Sequence, residues 1–227
     1  MKNILIFGAC GSIGNHIFKK MSENTFFHVY GTSRQYREEE NIIKIDNNCF
    51  DGLLEIPNID IIVWAQGDNF NDNIQTFDLM KYKNMMDANI NFILESLQFL
   101  LIHEKINDGA KMVIISSIWE NLTRENKLSY SISKSALSGL VKNLSYDLGK
   151  KNILINNVLP GVIDNEMTRK TLKPEEIEYI TNYTNFCRMI SLDDVYNTIY
   201  FLVFENTGIT GQSIVVDLGF SNIRKYS

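Results

Sequence analysis

The 227-residue sequence predicts an α/β fold: a doubly wound parallel sheet of about seven strands in a three-layer α/β/α arrangement. Three observations predict it. Short apolar runs alternate with longer helix-period stretches, the pattern of repeated βαβ units. Most of the short runs are continuous in Ile, Val and Leu, as strands covered on both faces require. The first run passes straight into a glycine-rich turn, Gly8-Ala9-Cys10-Gly11-Ser12-Ile13-Gly14, and then into a helical pattern.

In chain order, strands are expected at residues 3–8, 27–32, 42–46, 59–65, 111–116, 153–159 and 213–217. Helices are expected at 12–22, 81–103, 129–149, 174–184 and 192–204. Only residues 33–41 separate the second and third strands, too few for a helix with its loops, so one crossover helix is expected to be missing or reduced to a turn. A longer insert between Val162 and Ser191 carries Met167, Thr168, Arg169 and a helix starting at Pro174; such inserts at strand ends often act as lids. With no repeat, linker or low-complexity tract, residues 1–227 are expected to form one domain.

Composition narrows the function. Lys plus Arg number 22 against 27 Asp plus Glu, a net charge of -5, and no basic run argues for nucleic acid or an anionic membrane as main partner. Apolar residues, 44% and well spread, exclude disorder. Cys10, Cys49 and Cys187 are odd in number and far apart, which suits a reducing cytoplasm. The apolar start is too short for a signal sequence, and no run of about 18 apolar residues is present, so a cytoplasmic protein with no membrane span is expected.

The glycines of the first turn have a physical purpose. The chain leaves a buried strand sharply, backbone N–H groups must approach a pyrophosphate, and the helix start must pack on the sheet. At the end of the second strand stands Gly31-Thr32-Ser33-Arg34, with no acid to bind a free ribose 2′-hydroxyl. Arg34 offers a bidentate fork to a 2′-phosphate and Ser33 a hydroxyl, which favours NADP(H) and leaves NAD(H) possible; Arg37 is an equally placed competitor. Further on, Tyr130-Ser131-Ile132-Ser133-Lys134 puts a phenol and an ammonium on one helix face at i, i+4. A neighbouring cation lowers a phenol's pKa from about 10, so Tyr130 is expected to exchange a proton near neutral pH. Upstream, Ser116-Ser117 ends a strand at the sheet edge where such folds bind ligands.

With these motifs in order over nearly the whole chain, the sequence resembles the short-chain dehydrogenase/reductase family in its single-domain, Rossmann-like form. Gly8, Gly11 and Gly14 match its glycine motif, with Cys10, Ser12 and Ile13 between them as cofactor contacts. Asp46 matches the position that touches adenine, and Asn89 the helix asparagine whose carbonyl holds a relay water. Ser117, thirteen positions before Tyr130, matches the serine that orients the substrate. Pro160-Gly161-Val162-Ile163 matches the segment that meets the nicotinamide carboxamide, with Pro160, Gly161 and Ile163 as its contacts. Thr210-Gly211-Gln212 and Val216-Asp217-Leu218-Gly219 resemble the C-terminal strand signature. The resemblance implies a carbonyl reductase or alcohol dehydrogenase in which Ser117 orients the carbonyl and Tyr130 gives the proton. Tyr130 and Lys134 also contact the cofactor, Lys134 holding the ribose and keeping the phenol acidic, and Asn89 organises the refilling water. It also implies a homodimer or homotetramer formed through the helices at 81–103 and 129–149.

The chain departs from the family pattern in places. Gly11 stands one place before the usual middle glycine, which Ser12 replaces. Trp64-Ala65-Gln66-Gly67 stands for the usual Asn-Asn-Ala-Gly, so Ala65, Gln66 and Gly67 are expected near the cofactor ribose, with Gln66 replacing an asparagine contact. Asn165 takes the place of a usual threonine, with Thr168 beyond. Between Ser117 and Tyr130, Trp119 is a candidate to stack on a ring; Arg124, Lys127 or Arg169 could bind an anionic tail, which favours a polar small-molecule substrate such as a sugar derivative. His16, His28 and His103 form no metal set. The alternative is a non-catalytic dinucleotide-binding regulator or scaffold, against which the intact Ser117, Tyr130 and Lys134 argue.

Overall fold

In β1 (Lys2–Phe7), Ile4 and Ile6 face one side of the sheet and Leu5 and Phe7 the other, all four fully buried. That double burial explains the unbroken apolar runs. Seven strands form one wholly parallel sheet in the order β3-β2-β1-β4-β5-β6-β7: β2 (Phe27–Ser33), β3 (Ile42–Lys44), β4 (Ile59–Trp64), β5 (Ile106–Ile115), β6 (Leu154–Pro160) and β7 (Ser213–Val216). The structure is a computed structural model and describes residues 1–34, 41–46 and 49–223, apart from the side chains of Met167 and Thr171. Arg37 and most of the connection between β2 and β3 lie outside the described residues.

Each face of the sheet carries its own helical layer. On one, α1 (Ser12–Ser22) and α7 (Leu192–Tyr200) bring Ile17, Met21, Val195 and Ile199 onto Ile4, Ile6, Ile61 and Val63. On the other, α3 (Phe92–Ile102) and α4 (Leu128–Asp147) bring Ile93, Leu97, Leu137 and Val141 onto Leu5, Phe7, Ile62 and Trp64. Inside that layer the Trp64 indole N–H donates to Ser96 Oγ at 3.0 Å.

Four elements differ from expectation. The helix expected at 81–103 starts earlier, as α2 (Leu79–Met86) capped by Asp78, and a π turn, Asp87–Asn91, joins it to α3. The whole rod, Leu79–Ile102, has 24 residues, and an 18-residue window within it reaches a mean hydropathy of 1.2, enough by length and composition to cross a membrane, which the sequence reading did not anticipate. Here it lies on the sheet with Met85, Ile90, Ile93, Leu97 and Leu100 buried. β5 begins at Ile106 because Gly109, at φ +80°, lets the strand continue through a left-handed residue. β3 stops at Lys44, leaving Asp46 outside it. The insert holds two helices, α5 (Glu166–Thr171), capped by Asn165, and α6 (Pro174–Tyr183), which starts at its proline.

In the strand order the chain turns in opposite directions from β1, toward β2 on one side and β4 on the other. The crevice outside the carboxyl ends of β1 and β4 is where open α/β sheets take ligands.

Candidate active site

The crevice begins at the glycine turn. Gly8 has φ +75°, and a Cβ there would lie 2.7 Å from the Gln66 backbone nitrogen. At Gly14 a Cβ would lie 2.2 Å from the Gly8 carbonyl oxygen, so the first turn of α1 packs directly on the strand end. Gly11 N–H donates to Gly8 O at 2.9 Å, and Gly11 caps α1 without a side-chain bond to the helix's first amides. Those amides and the helix dipole suit an anion. Ile13 packs on the core beneath, Cys10 is a half-buried free thiol, and Ser12 Oγ accepts from Asn165 Nδ2 at 3.2 Å, tying the turn to the insert.

Beside the turn lies a cleft of about 620 Å³, lined among others by Gly8, Gly11, Ser33, Arg34, Ala65 and Gly67. Gln66 also lines it, and both polar atoms of its side chain are buried without a hydrogen-bond partner. A buried amide left unpaired costs about 1–3 kcal/mol, which a ligand with hydroxyl groups would recover. The residues therefore fit a dinucleotide: backbone amides for a pyrophosphate, Arg34 for a further phosphate, an orphaned amide for a ribose. Thr32, Ile45, Asn84, Asp87, Ala88 and Phe92 also line the wall, residues the sequence reading did not single out as contacts.

At the ends of β5 and the start of α4 the structure brings Ser117, Tyr130, Lys134 and Asn89 together. Ser117 hydrogen-bonds to the Tyr130 phenol and caps the short turn Ile118–Glu120, its Oγ accepting from Trp119 N at 3.3 Å. Lys134, buried, donates from Nζ to Ile115 O at 3.0 Å and lies 5.7 Å from the Tyr130 ring centroid. Asn89 sits in the π turn, where the widened backbone aims its side chain inward: Oδ1 accepts from Asp68 N at 2.7 Å, and Nδ2 donates to Asp68 O at 3.1 Å and Ser133 Oγ at 2.9 Å. A Cβ on Gly67 would lie 3.0 Å from Asn89 Oδ1 and 3.8 Å from Lys134 Nζ, so Gly67 links the cleft to this cluster.

The expected acidic phenol is not what the structure holds. Burial pushes Tyr130 above its ordinary value, and only the Ser117 hydrogen bond works against that. Burial pulls Lys134 down to about 8, opposed by the charge of Glu120. The expectation of an acidic phenol therefore fails on burial, which outweighs the pull of a nearby cation at Tyr130. A second ammonium, Lys127, lies 5.3 Å from the Tyr130 ring centroid, donates to Asn69 Oδ1 at 2.7 Å, and is likewise drawn to about 8, by burial and then Arg124.

The remaining candidates fall less tightly together. Asp46 is exposed and paired with Lys44 at 3.0 Å, while its neighbour Ile45 lines the cleft. Pro160 ends β6; a Cβ on the adjoining Gly161 would lie 2.9 Å from Asp217 Cβ, and Ile163 is buried in a bridge to Ile190. Arg124 stacks over Trp119 at 5.7 Å. The guanidinium of Arg169 is already held by Asp164, at 2.6 and 2.7 Å. Among the described residues no group of three or more His, Cys, Asp or Glu side chains could hold a metal ion.

A family model described as enoyl-(acyl carrier protein) reductase matches residues 47–221. The 7alpha-hydroxysteroid dehydrogenase of Escherichia coli K12 is 32% identical over 114 residues, 50% of this chain; the match spans only 45% of that enzyme. The 3-oxoacyl-(acyl-carrier-protein) reductase FabG of Rickettsia felis is 27% identical over 235 residues, covering 96% of both chains. Among solved structures, ElxO with NADP bound superposes with a TM-score of 0.84 at 25% identity, covering 98% of this chain and 99% of that one.

Proposed function

The chain belongs to the short-chain dehydrogenase/reductase family, and from that premise we propose that it is an NADP(H)-dependent carbonyl reductase or alcohol dehydrogenase acting on a small polar substrate, such as a sugar derivative. The observation that carries the proposal is the meeting of Ser117, Tyr130 and Lys134 at the sheet edge, with Gly67 joining them to the glycine-turn cleft.

The Gly8–Gly14 turn would hold a nicotinamide cofactor, whose chemistry would be to supply or accept a hydride. In the reductive direction Ser117 Oγ hydrogen-bonds the substrate oxygen and fixes its orientation. Tyr130 passes its phenolic proton to that oxygen, and Lys134 is the cation that stabilises the phenolate left behind. Asn89 holds the Asp68 backbone and Ser133, so it fixes the wall against which Lys134 is set and serves the path that returns the proton. Arg34 is the group that favours NADP(H) over NAD(H), in keeping with the NADP named for ElxO.

The test is direct binding of NADPH and NADH, followed by NADPH oxidation over a panel of polar and apolar carbonyl compounds. The reading expects tighter NADPH binding and turnover with a polar carbonyl. NADPH binding without turnover of any carbonyl would overturn the enzymatic reading, and turnover of apolar ketones alone would overturn the substrate class.

A further inference from the structure

Glu120 is a buried carboxylate, 6% exposed, and among the described residues it has no cation within 4 Å. Burying a lone charge is costly unless something compensates it. Four neutral groups hold this residue. Ser116 Oγ donates to Oε2 at 2.7 Å and Asn157 Nδ2 to the same oxygen at 3.2 Å; Ser213 Oγ donates to Oε1 at 2.5 Å; Ser135 Oγ donates to the backbone carbonyl at 2.8 Å. The carboxylate thus ties β5's end, β6 and β7, and the backbone carbonyl of the same residue ties α4. At the same strand end, the Lys134 ammonium is bonded to the carbonyl of Ile115, one residue before the serine that holds Glu120. Two buried charges of opposite sign therefore flank a single peptide segment.

We propose that Glu120 is a positioning residue of the reaction: its buried carboxylate is the counter-charge that keeps the Lys134 ammonium charged and in place beside Tyr130. The proposal rests on the functional reading above and extends it to a residue that neither touches substrate nor lines the cleft. The other charges near Lys134 do not do this. Lys127 bears the same sign and lies on the Tyr130 ring, Tyr130 is neutral when protonated, Asp68 is exposed, and Asp87 is exposed on the cleft wall and bonded to Asn91 at 2.6 Å. The charge on Glu120 acts to raise the proton affinity of Lys134 against its burial.

Three variants separate counter-charge from scaffold. Glu120→Gln keeps the shape and loses the charge; Ser213→Ala loses the hydrogen bonds to Glu120 and Asn157 and keeps the charge; Lys134→Met removes the partner. In the pH profile of kcat/KM, Glu120→Gln is expected to move the basic limb down by about one pH unit, so that activity at pH 8 falls about fivefold while that at pH 6 changes little. Ser213→Ala is expected to lower the melting temperature without moving the limb. Independently of activity, thermal melts should be non-additive: Glu120→Gln/Lys134→Met is expected to melt above Lys134→Met, since the double variant leaves no lone buried charge. That comparison also decides the matter if Glu120→Gln alone does not fold. An unmoved limb in Glu120→Gln, or losses in melting temperature that simply add, would overturn the proposal. Absence of any turnover in the wild-type protein would strike the functional reading instead, leaving the melts to judge the charge pair.

Discussion

The two halves of the sheet treat their polar groups in opposite ways. Around β1, β2 and β4 the glycine turn leaves helix amides uncapped by any side chain, and Gln66 keeps an amide buried with nothing bonded to it. Around β5, β6 and β7 the polar groups bind one another: Ser116, Asn157 and Ser213 on Glu120, Lys134 on Ile115, Asn89 on Asp68 and Ser133, with Asn157 Oδ1 and Ser131 Oγ the unpaired atoms on that side. A region built to receive a ligand keeps its bonding capacity open, whereas a region built to orient reacting groups spends it internally.

The sharpest way to break this contrast is at the turn. Gly14→Ala puts a methyl group 2.2 Å from the Gly8 carbonyl, so NADPH is expected no longer to bind measurably by fluorescence titration, with a stability loss of about 1–3 kcal/mol in chemical denaturation. Smaller in effect, Arg34→Ala should weaken NADPH about tenfold or more and leave NADH nearly unchanged, since a charged hydrogen bond contributes roughly 1.5–3 kcal/mol. If both cofactors weaken equally, Arg34 does not select the phosphate.

The orienting half has its own signature in pH. Lys134, held at about 8 against 10.5, binds fewer protons folded than unfolded between those values, so stability rises with pH across that window. Tyr130 is shifted upward and works in reverse above 10, where the unfolded phenol ionises first. The wild-type melting temperature, measured relative to Lys134→Met, is therefore expected to climb by a few degrees from about pH 8 to 10 and then level off. A flat difference would mean that burial does not lower the proton affinity of Lys134. Least affected should be Arg169→Ala: its guanidinium is exposed and occupied by Asp164, and KM is expected to change less than about threefold.

Much of this was legible in the sequence because it follows from period and spacing. Continuous Ile/Val/Leu runs located the strands, a glycine triplet between strand and helix located the cleft, and the i, i+4 pair located Tyr130 and Lys134. What escaped depends on neighbours distant in the chain. The π turn at Asp87–Asn91 leaves no mark on a helical period, although it is what aims Asn89 inward. Glu120 reads as a loop charge until β6 and β7 supply Asn157 and Ser213. The pKa of Tyr130 was misjudged because spacing reports the proximity of a cation and not its burial.

The central claim is that Tyr130 is the proton donor served by a cleft that binds NADPH without it. Replacing Tyr130 with Phe, and measuring NADPH affinity and carbonyl turnover on the same preparation, tests it most directly. The account predicts turnover lower by about a hundredfold to ten-thousandfold, with affinity within about threefold of wild type. Near-normal turnover in that variant would contradict it.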